Sequence, residues 1–469
     1  MRLMIDSSIF REYDIRGIYN QNLTQDTVFG IGVLLGEKIK ENGGESIFIG
    51  LDARTHSPIL YKWLKEGLGK NGLKIYFIGM VPTPVAYFAT YNTINGFSSH
   101  NSIMITGSHN PPQYNGFKIT LGRKPFYGKD IKELGEKLAQ NPISYDPKPI
   151  QEYNIDALEA YKDYLIKHFS KLKNFPYSVA LDYGNGVGAI GLEDILNKLN
   201  IRHSSLFAQP DGNFPNHHPD PSEEKNLSDL KNYLKNHNTP IGLAFDGDAD
   251  RIALLTSNHN YKGDELAILF AKNLAECNIS PLVIGEVKCS QIMYDEINKI
   301  GKSVMYKTGH SNLKIKLKEL NAHLAAEMSG HMFFNDRYFG YDDAIYAGLR
   351  ALELFLNHTP EELENMIAKL PSFYCTPEEK IPSSEENKFV IINKLREILK
   401  NPPKNFPKIL EIITIDGVRV VFENGWGLVR ASNTTPVLVT RFEAKDKESA
   451  DLYKEKLLDI IEKIKHMLY

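Results

Sequence analysis

Four short loops of this chain carry residues whose types and spacing suit chemistry. The first, Thr106-Gly-Ser-His-Asn-Pro-Pro-Gln-Tyr-Asn-Gly-Phe-Lys118, sets Ser108 just past an apolar run, where open α/β sheets place their ligand sites. Gly107 allows close backbone approach, and the Pro111-Pro112 pair stiffens the turn that presents the hydroxyl. It is not the elbow of acyl-transfer hydrolases, because Asn110 stands where G-x-S-x-G needs its second glycine. The second loop is Asp246-Gly-Asp-Ala-Asp-Arg251, whose alternating carboxylates repel one another unless a cation sits among them. Hard oxygen donors of this kind suit Mg²⁺. An EF-hand is excluded, since Arg251 and Ser257 occupy the positions of its glycine and its bidentate glutamate. The third loop, Glu327-Met-Ser-Gly-His331, offers a carboxylate, a hydroxyl and an imidazole suited to sugar hydroxyls. The fourth, Arg430-Ala-Ser-Asn-Thr-Thr-Pro436, joins a guanidinium to small hydrogen-bonding residues, a phosphate-binding combination.

The segments between these loops position them. Residues 24–41 have helical apolar spacing with Thr24 as N-cap, and a second helix is expected to run from 56 and stop at Gly72. Residues 45–52, 74–80 and 102–106 read as strands, the rhythm of a parallel sheet covered on both faces. The rhythm breaks at a linker-like stretch, 141–154, and resumes with a helix near 155–170 and strands at 178–183 and 241–248. Further strands follow at 281–287 and 323–330, and a second break, rich in Pro, Ser and Glu, spans 371–387. Asn424-Gly425 marks a hairpin, and a final amphipathic helix carries Leu457, Ile461, Ile464 and Leu468 on one face. The expectation is α/β architecture: three α/β domains over 1–150, 151–254 and 255–370, then a smaller α+β domain over 371–469.

The 469 residues, 42% hydrophobic and 24% charged, exclude wholesale disorder and fit several domains. Net charge −3 argues against a nucleic-acid or anionic-membrane surface. No apolar run approaches the roughly 18 residues of a membrane span. The N-terminal stretch is charged where a secretion signal would be apolar, so a cytoplasmic enzyme is expected. Cys277, Cys289 and Cys375 are too few and too scattered for a disulfide framework or a thiolate metal site. Gly186-Val-Gly-Ala-Ile-Gly191, with Asp211 beyond it, fits a dinucleotide fingerprint, but without other nicotinamide features it is read as close strand–helix packing.

Together, from Phe10-Arg-Glu-Tyr-Asp-Ile-Arg-Gly17 to the last loop, these motifs resemble the α-D-phosphohexomutase superfamily, in its bacterial phosphomannomutase/phosphoglucomutase branch. The resemblance implies three related α/β domains with mixed sheets and a C-terminal α+β domain around one cleft. It makes Ser108 the phosphorylated serine and Asp246, Asp248 and Asp250 the Mg²⁺ ligands, with Ser108 phosphate completing the set. Arg16, Lys118, His109 and His331 become candidates for proton transfer, with the Arg16–Lys118 pair aided by His331 preferred. Tyr13, Arg251, Lys288, His310, Glu327 and Ser329 become substrate contacts, and Arg430, Ser432, Asn433, Thr434 and Thr435 the holders of the non-reacting phosphate. Two departures stand out. Ala249 replaces a commoner glycine, tolerable only at ordinary backbone angles, and Glu265 stands where an arginine is expected.

The implied reaction interconverts hexose 1-phosphate and hexose 6-phosphate of mannose and glucose through a 1,6-bisphosphate, which also serves as activator. One Mg²⁺ per chain is implied, with the fourth domain as a lid. The partners implied are small sugar phosphates, with neither nucleic acid nor membrane, and the chain acts as a monomer, a dimer being left open. Three other readings compete: a phosphoglucosamine mutase, an aspartyl-phosphate-type sugar phosphatase using Asp246 as nucleophile, and a non-enzymatic sugar-phosphate sensor.

Overall fold

A computed structural model describes residues 5–433 and 435–468. Its strands form four sheets, the first of which takes in Gln151–Asn154 beyond the expected boundary at 150. In the first, Ser46–Leu51 lies between Lys74–Met80 and Ser102–Ile105, all parallel. Tyr114–Leu121 then returns antiparallel to Ser102–Ile105, and Ile15–Ile18 adds outside it. The second sheet sets Val179–Asp182 parallel to His203–Leu206 and Ile241–Phe245, after which Ile252–Thr256 reverses. In the third, Leu282–Glu286 is parallel to Lys302–Tyr306 and Leu324–Ala326, and Met332–Phe334 reverses. The fourth is antiparallel throughout, its central hairpin formed by Gly425–Ala431 and Val437–Ala444.

One design therefore recurs. Each chemical loop joins a strand to the antiparallel neighbour that follows it: 106–113, 246–251, 327–331 and 432–436. A reversal of this kind needs only a short connection, whereas a parallel crossover needs a helix between its strands. All four loops are thus held at both ends by their own sheet.

Helix Gln25–Glu41 is capped by Thr24, whose side chain accepts from Thr27 N, as expected. The next helix, Ser57–Gly69, stops short of Gly72, which takes the left-handed φ of +70° in the turn beyond. Neither expected linker is wholly structureless. Gln151–Asn154 adds an edge strand parallel to Lys74–Met80, and Tyr374–Cys375 and Glu379–Pro382 both pair with Val437–Ala444. The second sheet also continues to Tyr261, past the expected boundary at 254.

One apolar cluster runs through parts of the first three units, from Phe88 through Tyr161 and Leu243 to Tyr346 and Phe355. A separate cluster fills the fourth, where Leu457, Ile461 and Ile464 of helix Lys447–His466 pack on Val420 and Phe442. Val287, Trp426 and Leu428 form a smaller apolar contact between the third and fourth units. Arg419 strengthens that contact by donating to the carbonyls of Val287 and Cys289 at 2.7 and 2.8 Å while lying over the Trp426 ring. Among the described residues, no helix is long and apolar enough to cross a membrane.

Candidate active site

The four loops converge on a cavity of about 1040 Å³ lined by residues of all four units, among them Ser108, Arg251, Glu327 and Arg430. Ser108 lines it, buried and at a left-handed φ of +48° that its sequence context did not announce. Thr106 Oγ1 accepts from Ser108 N at 2.8 Å, and the serine hydroxyl donates to Asp246 Oδ2 at 2.8 Å. His109 Nδ1 lies 3.1 Å from the same hydroxyl. Desolvation and the Arg251 charge hold that imidazole well below its usual pKa.

Asp246 organises its own loop. Its Oδ1 accepts from the backbone N–H groups of Asp250 and Arg251 at 3.0 and 3.1 Å, leaving Oδ2 for Ser108. Gly247 is required here, because a Cβ would come 2.5 Å from the Ser108 carbonyl oxygen. Ala249 departs from expectation: it sits at φ +58°, in the left-handed region, with its methyl wholly buried. The loop therefore carries its alanine at a backbone cost of about 1–2 kcal/mol.

Donor atoms of Asp246, Asp248 and Asp250 all lie within 4.8 Å of one another and all three residues are buried. Asp248 Oδ1 and Asp250 Oδ1 have no hydrogen-bond partner among the described residues. Burial and the two neighbouring carboxylates push the Asp246 carboxyl well above the usual range. Hard oxygen donors, orphaned lone pairs and mutual repulsion fit Mg²⁺. Lys118, on the strand returning from the serine loop, lodges its ammonium against Asp248, at 2.6 Å, and Asp250. Burial alone would lower its pKa, but these carboxylates hold it above the ordinary lysine value. Thr83 also donates to Asp248. Arg16 is tied to Asp14 and the Gly107 carbonyl, so its guanidinium braces the serine loop.

In the third loop, Glu327 N donates to His331 O at 2.9 Å, closing the turn, while Oε1 accepts from Gly309 N and Oε2 from Ser329 Oγ. Arg251 Nε donates to His331 Nε2 at 2.9 Å, and His331 Nδ1 faces Asp342 Oδ2 at 3.1 Å. Through Nε2, His331 orients Arg251 in the conformation seen. His310 lies beside it, its Nδ1 3.6 Å from the same Asp342 oxygen. Lys288 stands between Glu378, at 3.3 Å, and Glu286, at 3.8 Å.

In the fourth loop, Arg430 Nε bonds Asp416 Oδ2 at 3.1 Å, and that oxygen also accepts from Thr308 N of the third unit. Ser432 Oγ and Thr435 Oγ1 lie 2.8 Å apart. Asn433 Nδ2 reaches Tyr13 Oη at 2.7 Å, and Tyr13 in turn donates to Thr308 O at 2.8 Å. Thr434 lies outside the described residues. The other expected site residues line the cleft, except Asp246, Asp248 and Asp250, which lie buried outside its lining, and Thr435, which is exposed and does not line it.

Several neighbours of the site escaped the sequence reading: Arg54 against the serine loop, Asp220 beside His109 and Arg251, Asp342, and Asp416. Despite burial, the neighbouring His109 imidazole, the Arg251 charge and the Ser222 hydroxyl draw the Asp220 carboxyl down to about 2. None of these residues belongs to a motif, and each earns its place only by long-range contact. Glu265, in place of the expected arginine, accepts from Lys262 N at 3.0 Å and faces His259 at 2.8 Å, so it caps helix Gly263–Glu276. At the glycine fingerprint, expected to ease strand–helix packing, Gly186 instead abuts the Asp246–Arg251 loop: a Cβ there would come 2.7 Å from Gly247 O.

Fold and loops together define an α/β phosphotransfer scaffold. Residues 7–141, 156–259 and 262–374 match the phosphoglucomutase/phosphomannomutase alpha/beta/alpha domains I, II and III, and 381–460 the C-terminal domain. The chain belongs to the phosphoglucomutase/phosphomannomutase family. It is 40% identical over 452 residues to a phosphomannomutase/phosphoglucomutase of Pseudomonas aeruginosa, covering 96% of this chain and 94% of that protein. It is equally 40% identical over 469 residues to a phosphoglucomutase of Neisseria gonorrhoeae, covering 99% of each. A crystal structure of a phosphoglucomutase/phosphomannomutase family protein from Burkholderia thailandensis superimposes with TM-score 0.88 at 35% identity, covering 98% of both chains.

Proposed function

We propose that this chain is a phosphohexomutase that interconverts the 1- and 6-phosphates of mannose and glucose by way of phosphorylated Ser108. The observation that carries the reading is the Ser108–Asp246 contact of 2.8 Å at a cavity that Ser108, Arg430 and Lys288 line. One serine and one carboxylate triad serve phosphoryl transfer, and a separate cationic group holds the phosphate that is not reacting.

Asp246, Asp248 and Asp250 are the residues that would hold Mg²⁺, which supplies charge neutralisation at the transferring phosphoryl group. Lys118 and Arg16 are assigned to flank that group as cations. Phosphoryl transfer depends mainly on positioning and electrostatics, so rigidly held cations are the principal requirement. Ser108 phosphate passes to O6 of a bound hexose 1-phosphate, whose hydroxyl proton leaves as the new P–O bond forms, and Ser108 Oγ regains a proton. His109, 3.1 Å from Oγ, is the imidazole within reach of the serine oxygen, and His331 is assigned to the sugar side. The 1,6-bisphosphate then turns in the cleft, its O1 phosphate returns to Ser108, and hexose 6-phosphate leaves. Free bisphosphate would activate by phosphorylating Ser108 directly.

A sugar that binds in two opposed poses cannot be read closely at one carbon. Glu327 and Ser329 form a small polar pair able to meet hydroxyls in either pose, which favours tolerance at C2. The site is assembled from loops of one chain, which supports activity as a monomer. Steady-state assays with mannose 1-phosphate, glucose 1-phosphate and glucosamine 1-phosphate test the reading. Comparable kcat/KM for the first two and weak use of the third is expected; a clear preference for the amino sugar would overturn the substrate assignment, and phosphate release without isomerisation the mutase assignment.

A further inference from the structure

Arg54 is almost completely buried, at 1% exposure, and is absent from the cavity lining, yet its guanidinium contacts more of the serine loop than any side chain the mechanism uses. Its two terminal nitrogens donate to four backbone carbonyls: Ser108 O at 2.9 Å, Asn110 O at 2.6 Å, Pro111 O at 2.7 Å and Tyr114 O at 2.9 Å. Its Nε donates to Asp52 Oδ2 at 3.2 Å, and that same oxygen accepts from Gly107 N at 3.1 Å. Both halves of the loop are therefore tied to one ion pair. The fit leaves no slack: a Cβ on Gly107 would come 2.3 Å from the guanidinium carbon, and the Phe214 ring covers the cation at 5.0 Å.

We propose that Arg54 is a positioning residue for phosphoryl transfer, holding Ser108 at its left-handed angle and drawing the loop carbonyls toward a buried cation. The inference rests on the mutase reading above. Two physical consequences follow. A non-glycine residue at φ +48° is unfavourable by itself, so it persists only where surrounding contacts over-determine it. Carbonyl oxygens engaged by a buried guanidinium are also withheld from the phosphoryl dianion, whose approach they would oppose. The five N–H groups of arginine in their fixed fork make this possible; the three donors of a lysine ammonium radiate from one point and cannot span the same carbonyls.

The test compares wild type, Arg54→Lys, Arg54→Ala and a control, Leu134→Ala, which removes a buried apolar side chain from the same unit away from the loop. Arg54→Lys is expected to lower kcat about 100-fold with KM close to wild type, the signature of a misplaced phosphoryl donor. Added guanidinium chloride at low millimolar concentration is expected to restore part of the Arg54→Ala rate, whereas equal sodium chloride should not. Leu134→Ala should lower Tm while leaving kcat near wild type. Should neither Arg54 variant fold, Gly107→Ala, which drives a methyl into the guanidinium, carries the same kcat expectation. Near wild-type kcat in Arg54→Lys (or in Gly107→Ala, where that variant carries the test), or an equal loss in Leu134→Ala, overturns the proposal. A wild-type protein without mutase activity would instead overturn the functional reading on which it rests.

Discussion

Asn433 Nδ2 and Tyr13 Oη meet at 2.7 Å although 420 residues of chain separate them. Because Tyr13 also donates to Thr308 O, a single phenol ties together the first, third and fourth units at the rim of the cleft. Tyr13→Phe removes both bonds and keeps the ring. Each such bond contributes about 1 kcal/mol, so KM for hexose 1-phosphate should rise about fivefold or more, with kcat nearly unchanged. Steady-state kinetics of the variant decide this, and an unaltered KM would dissociate the tie from substrate capture.

Ser108→Ala should abolish isomerisation and the phosphate found on the protein by mass spectrometry. The fold should survive, since the hydroxyl bonds only the Asp246 and His109 side chains among the described residues and alanine meets the same backbone angle. Phosphate recovered from the variant would redirect the search for the nucleophile.

Mg²⁺ should stabilise the protein as well as activate it. Relief of repulsion among Asp246, Asp248 and Asp250 makes the ion a ligand of the folded state alone, and such a ligand at 100 times its Kd adds about 2.7 kcal/mol. Calorimetry should show Tm rising with Mg²⁺ in the wild type and much less in Asp248→Asn, which should also lose turnover. An equal Tm response in both would place the ion elsewhere.

Arg430→Ala should raise KM by roughly 10- to 100-fold, the range for a lost charge-assisted hydrogen bond of about 1.5–3 kcal/mol, and lower kcat less. Asp416 would then keep its bond from Thr308 N but lose its cation, and its charge would add repulsion toward the phosphate. A kcat loss exceeding the KM change would assign Arg430 to the reacting end.

Asp343 provides a pH signature outside the cleft. It accepts from Tyr338 Oη and Tyr346 N, each at 2.8 Å, and from Tyr161 Oη at 3.0 Å. Burial nevertheless raises its pKa from the ordinary 3.8 to about 7. Between these values the folded chain retains a proton that the unfolded chain has released, so this group's contribution to stability falls as pH rises through that window and is level above it. Wild-type Tm should therefore drop more between pH 5 and pH 8, values chosen to bracket about 7, than that of Asp343→Asn. Parallel Tm profiles would show that the carboxyl stays ionised.

The parts of the site legible in the sequence are those where chemistry is local. Ser108 and the Asp246, Asp248 and Asp250 triad announce themselves because their partners lie within the same few residues or at a strand end. Arg54 and Asp342 were invisible because their partners are backbone carbonyls and side chains brought near only by the fold. The misread linkers have a physical explanation too: Gln151–Asn154 is exposed along its whole length, so no alternation of burial marks it as a strand. Ala249 misled in the opposite sense, because backbone angle is a property of the assembled loop and not of the residue type.

The recurring reversal of each sheet at its chemical loop has an evolutionary consequence. Strands joined by a tight reversal sit about 4.8 Å apart, so the ends of each loop are fixed however its middle changes. On the reading proposed above, the sugar contacts Glu327 and Ser329 can therefore change while the transfer loops 106–113 and 246–251, with His331 against Arg251, keep their support. One scaffold built this way diversifies its substrates by exchanging a handful of residues in a single loop, with no need to reinvent the reaction.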